Sequence, residues 1–173
     1  MRLHQLKLDF LPEQDRLLLR VSTDNKIEVR LWLTRRALRL LWPLMLQMAR
    51  ASPEVVLQSN PQARDALVGM QHERALRQAN FADAFEETLR EMPLGAEPIL
   101  VARIQTSKDE QGNHVLALLP QQGQGIHLTL DNNLLHSLCR LLQNAVAKSE
   151  WDIVLELPAR TAADDAAAPK TLN

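Results

Sequence analysis

The chain has 173 residues and a net charge of −1, with 46% apolar and 24% charged residues, a globular balance that excludes a disordered or collagen-like polymer. Aromatic residues make up 3% and Tyr is absent, so the core must be aliphatic and a ligand site built from several stacked rings is disfavoured. The single cysteine, Cys139, cannot form an internal disulfide, the N-terminus has no apolar signal core, and no apolar stretch reaches the ~20 residues of a membrane span. A cytoplasmic protein without a membrane partner is expected.

In chain order, Leu6, Leu8 and Phe10 alternate with polar residues, the period of a half-buried strand. Pro12 to Asp15 reads as a turn, Arg16 to Val21 as a second strand, and Ile27, Val29, Leu31 and Leu33 as a third. Thr34 is an N-cap residue, and Ala37, Leu38, Leu41, Leu44, Met45 and Met48 then recur with helical spacing. Glu54 to Leu57 reads as a short strand, although Ser52-Pro53-Glu54 also fits a helix start. Asn60-Pro61 opens a helix carrying Ala63, Leu67, Met70 and Ala75, and Asn80 is placed to cap another carrying Phe85, Leu89 and Met92. Leu100, Ala102 and Ile104 alternate, His114 to Leu119 is a strand, and Gln121 to Gly125 is a glycine-rich turn. A strand with Ile126, Leu128 and Leu130 follows. Asp131 then caps a helix carrying Leu134, Leu135, Leu138, Leu141, Leu142 and Ala145, and Asp152 to Leu155 reads as a last short strand.

The second half repeats the order of the first. A constant offset takes Val29, Leu31 and Leu33 to Ile126, Leu128 and Leu130, and the cap Thr34 to Asp131. The fold class is therefore α+β, with internally duplicated βββα(β) units and a helical insert between them. Residues 1–157 form a single α+β domain: a repeat unit at 1–58, the insert at 60–92 and a repeat unit at 98–157. Residues 158–173, rich in Ala and Asp, form a disordered tail.

The chemistry searched for is mostly missing. His72-Glu73 begins a zinc-protease helix signature, but Leu76 stands where the second histidine belongs. His136 and Cys139 share one helical turn without a second pair of ligands nearby, so no metal and no cofactor is expected. Gly123-Gln124-Gly125 precedes a strand and no Lys-Ser or Lys-Thr follows, which makes it a hairpin turn and not a phosphate loop. Glu86, Glu87 and Glu91 read as a solvated helix face, and no nucleophile elbow is present.

Two features remain. If Leu17, Leu19, Val21, Val29, Leu31 and Leu33 face the helix, then Lys7, Arg20, Arg30 and Trp32 share the opposite face of the sheet. Cations around a Trp can hold phosphates while the ring stacks a base. The plainer reading is a face covered by the rest of the molecule or by a twin. The second feature is the helix from Arg35 to Arg50, where Leu40, Trp42 and Leu46 extend the apolar surface beyond one stripe, as in a helix covered on more than one side.

Charge is uneven: residues 1–50 carry ten Lys/Arg against five Asp/Glu, and the remainder carry ten against sixteen. The favoured expectation is a non-catalytic binding or assembly protein, homodimeric, that engages a protein partner. One alternative is a single-stranded DNA or RNA binder using the basic sheet face. The repeated strands-then-helix order resembles the Whirly single-strand binders at the level of fold, and that resemblance implies such a ligand. Another alternative is an enzyme with a site between the repeats, using His114, His127 or His136 as acid or base.

Overall fold

The computed structural model describes residues 3–88 and 90–158. β1 (Leu3–Leu11) and β2 (Arg16–Thr23) form a hairpin closed by a turn of 3-10 helix at Pro12–Gln14, and β3 (Glu28–Leu33) follows. Successive residues point to opposite faces, so one face gathers Leu17, Leu19, Val21, Val29, Leu31 and Leu33, all buried. Burying each of these large aliphatic side chains contributes about 1.5–3 kcal/mol. Thr34 caps α1 (Arg35–Arg50), its hydroxyl accepting from the Ala37 N–H at 3.1 Å. α1 runs on through Pro43, although that residue offers no N–H to the preceding turn.

α2 (Pro53–Val56) takes the place of the short strand expected at 54–57, because Pro53 sits at the first helical position, where its missing N–H costs nothing. α3 (Pro61–Gln78) is capped by Asn60, whose side-chain oxygen accepts from Gln62 N–H at 2.8 Å. Its buried stripe is Val68, Gln71 and Ala75, while Met70, expected inside, is exposed. No second helix forms at 80–88. The Asn80 side chain does accept from the N–H groups of Ala82 and Asp83, but the chain then runs irregularly across the sheet; Leu89 lies outside the described residues.

The stretch expected as one strand around Leu100 is divided. β4 (Ile99–Leu100) pairs parallel with β3, and β5 (Arg103–Lys108) opens a second sheet with β6 (His114–Leu119) and β7 (Ile126–Leu130). The crossing is a stitch: Val101 N–H donates to Trp32 O, and Ala102 N–H donates to Leu119 O. Both sheets have simple neighbour order, β1-β2-β3-β4 and β5-β6-β7. Gly125 enters β7 close beneath β6, where a Cβ would stand 2.1 Å from the Leu118 carbonyl oxygen. The glycine-rich segment is thus the turn between β6 and β7.

Asp131 caps α4 (Asn132–Ala147), accepting from Leu134 N–H at 2.7 Å. Residues 152–155, expected as a strand, have no ladder partner; Ile153 and Leu155 are half-buried against the core. The protein is α+β, and the order of three strands and a capped helix occurs twice. Its buried side chains form one cluster drawn from both sheets and from α1, α3 and α4. The expected tail lies outside the described residues from 159 onward.

Candidate functional site

The register puts Lys7, Arg20 and Arg30 in one cross-strand row, and Leu18, Trp32 and Leu100 in the next, on the sheet face turned away from α1. The four side chains named from sequence are therefore neighbours, but their charges are answered within the molecule. Arg20 is buried, and its Nε and Nη2 donate to the Glu28 carboxylate at 2.8 and 3.1 Å. Its Nη1 and Nη2 donate to Glu87 at 2.6 and 2.8 Å, and its guanidinium lies 4.3 Å from the centre of the Phe85 ring. Arg30 Nε donates to the same Glu28 at 2.7 Å, and Lys7 pairs with Asp9 at 3.2 Å.

Burial pushes the Glu28 carboxyl up, yet hydrogen bonds from Arg20 and Arg30 outweigh it and hold the group below the usual carboxylate range. Glu87 is held low by its hydrogen bond to Arg20, and Arg20 is raised in return. Residues 81–88 lie over this end of the sheet, with Gln5 bonded to Ala84 O and to Glu86 N–H. A phosphate at Arg20 would have to displace two carboxylates. What remains open on the face is Trp32, half-buried, beside Leu18 and the exposed Leu100. Sequence reading missed the carboxylates, although Glu28 stands two residues before Arg30 and so shares its face.

On α1, the three candidates separate. Trp42 is buried in the core and is no surface residue. It is covered because α1 packs against β3, β5, α3 and α4 together, which widens its buried stripe to Ala37, Leu38, Leu41, Trp42, Met45, Met48 and Ala49. Leu46 is half-buried and Leu40 is 46% exposed. Leu40 joins Arg36, Arg39, Pro43, Gln47 and Arg50 on the outer side, and α1 contains no acidic residue. Arg50 pairs with Asp65 at 3.2 Å, whereas Arg36 and Arg39 make no ion pair among the described residues. Two shallow clefts meet at Arg50: one holds Pro43, Leu46 and Gln47, the other Val56, Pro61 and Arg64. Val56 and Leu57 beside them are 58% and 84% exposed.

The histidines named for acid–base work lie on different elements, His114 on β6, His127 on β7 and His136 on α4. His136 is fully buried and meets His72 of α3, Nδ1 to Nδ1 at 3.3 Å. Burial, with help from His72 and Arg74, pushes His136 down to about 4, and burial lowers His72 as well. Cys139 is also fully buried, and burial pushes its thiol up to about 12, so it stays protonated. Among the described residues no group of three or more His, Cys, Asp or Glu is placed to hold a metal ion. His127 borders an apolar cleft of about 430 Å³ between the two sheets, lined by Val21, Val29, Leu94 and Leu128 and by no carboxylate.

No protein-family model, no curated protein and no solved structure matches the chain. Among the described residues no helix is long and apolar enough to cross a membrane.

Proposed function

We propose that the protein is a non-catalytic binding or assembly protein that associates with itself and engages a partner protein through the outer side of α1 and the adjoining α2. The observation that carries this reading is the surface running from Leu40 and Pro43 past Leu46 to Val56 and Leu57, bordered by Arg36, Arg39 and Arg50. Apolar side chains left in water beside Arg36 and Arg39, which make no ion pair among the described residues, suit a segment that offers aliphatic groups among carboxylates. Pro43 adds specificity, because it cannot donate to the Arg39 carbonyl one turn earlier and so leaves an acceptor on the same side. The nucleic-acid reading is the weaker one, since Arg20 and Arg30 already hold carboxylates.

The test is comparative affinity capture at physiological salt. The immobilised chain, a Leu40→Glu/Leu57→Glu variant and a Leu100→Glu control are exposed to the same cell extract. A partner held by wild type and control, and weakened more than about tenfold by the double variant, is the expected result. The same proteins captured by all three would sink the assignment of this surface. Fluorescence anisotropy with labelled single-stranded DNA and RNA at low salt is expected to stay flat. Saturable binding that falls steeply with salt would transfer the function to the sheet face.

A further inference from the structure

β1 is the edge of its sheet. It pairs with β2 on one side, and among the described residues no backbone bond satisfies its other side. That free edge opens into a cleft of about 630 Å³, walled by residues 79–85 and by Leu134, Ser137 and Leu141, one stripe of α4. Leu3 to Leu8 line it without a break. Because strand side chains alternate between faces, an unbroken run means that the backbone edge itself faces the cleft. A row of free N–H and C=O groups on a nine-residue strand is a template for a further strand.

We infer that the occupant is β1 of a second copy, paired antiparallel about a two-fold axis centred on Leu8. Of the registers centred on Lys7, Leu8 and Asp9, only the one centred on Leu8 sets opposite charges across the pair. Residues directly opposite each other in an antiparallel pair lie on the same face, so the axis must pass through a residue for the two sheets to continue face to face. Centred on Leu8, Lys7 lies opposite Asp9 of the second copy and Asp9 opposite its Lys7. On the other face Leu8 meets Leu8, and Leu6 meets Phe10. Centred on Lys7 or on Asp9, the strand would set like charges against each other. Lys7 and Asp9 are both part-exposed, side by side at 3.2 Å on the outer face, so each can turn to the neighbouring copy. The twofold arrangement is self-complementary, as an interface between identical copies must be. This inference rests on the self-association proposed above and gives it a surface, distinct from the one assigned to the partner protein.

Charge reversal tests it in full-length protein by sedimentation equilibrium across a concentration series. Lys7→Glu sets Glu against Asp twice, and Asp9→Lys sets Lys against Lys twice. Each single variant is expected to raise the dimer Kd by about tenfold or more. The decisive sample is their equimolar mixture, in which both cross-strand pairs become attractive and a heterodimer near wild-type affinity is expected. Circular dichroism of each variant alone reports whether it is folded, and a misfolded chain could not give the rescue. A wild-type dimer indifferent to both substitutions, or a mixture no tighter than its components, would overturn the β1 interface while leaving self-association in place. A wild-type monomer throughout would overturn both, and the capture comparison on α1 would still decide the partner reading.

Discussion

His136 shows how one buried residue ties stability to pH. Its ring is enclosed between α3 and α4, its Nδ1 faces His72, and its Nε2 has no hydrogen-bond partner among the described residues. Protonation would put a charge where nothing answers it, which is why its folded value falls to about 4 from 6.5. In the unfolded chain the ring takes up a proton as pH falls below about 6.5, while the folded chain resists until about 4. The unfolded state therefore binds more protons in that window, and stability falls as pH falls through it. The loss amounts to as much as about 3 kcal/mol. Urea unfolding of wild type and of His136→Phe from pH 7.5 to pH 4 would measure it, with a flatter profile expected for the variant. Equal slopes would place the dependence elsewhere. Glu28 and Glu87, held below 4.5, and Asp15, held below 3.8, add their loss at the acid end of this window and below it, where stability lost on acidification comes from carboxylates. The sequence placed His136 on its helix beside Cys139. It did not reveal His72 as the facing residue, because a contact 64 positions apart exists only through the packing of α3 on α4.

At the scale of elements, local chemistry was legible and coverage was not. Thr34, Asn60 and Asp131 each bond an N–H a residue or two into the helix they precede, so three helix starts could be read within a few positions. Alternation likewise gave the inner faces of β2 and β3. The segment after α3 failed because its apolar and acidic residues have long-range tasks. Phe85 lies against Arg20, Glu87 pairs with it, and Glu91 exchanges backbone bonds with Lys26 and Glu28. Helical spacing in 80–92 was incidental to this strap. Arg20 is its anchor. Arg20→Leu would leave the buried Glu28 with Arg30 alone and is expected to cost about 3 kcal/mol, within the range for breaking a buried pair. Adding Glu28→Leu should recover part of that loss, because no uncompensated buried carboxylate remains and Glu87 is exposed. Urea denaturation of the two single variants and the double variant closes the cycle. Hydrogen exchange over 84–91 should speed up in Arg20→Leu. A loss under half a kilocalorie would mean that the strap is held by its backbone bonds instead.

At the scale of the molecule, each half leans on the other. α1 follows the first three strands yet packs against β5 as well as β3, and α4 follows the second three yet packs against β1 as well as β7. The two helices also touch each other, and Trp151, just beyond α4, meets Phe10 edge-on and donates to Asp15 at 2.6 Å. Periodicity could show that each half has an apolar helix and an apolar sheet face. It could not show that they are exchanged, since either pairing buries the same residues. With the contacts crossed, neither half keeps its core when the other opens, so unfolding should be a single transition. Leu142, fully buried in α4, tests this. Leu142→Ala is expected to cost about 2–5 kcal/mol. Two of the three Trp residues, Trp32 and Trp42, sit in the first half, so fluorescence weights that half while far-UV circular dichroism reports all helices. Both signals should shift to lower urea together and keep one midpoint. If dichroism moved while the Trp signal stayed, the second half would unfold alone, and the crossed helices would be neighbours without energetic coupling.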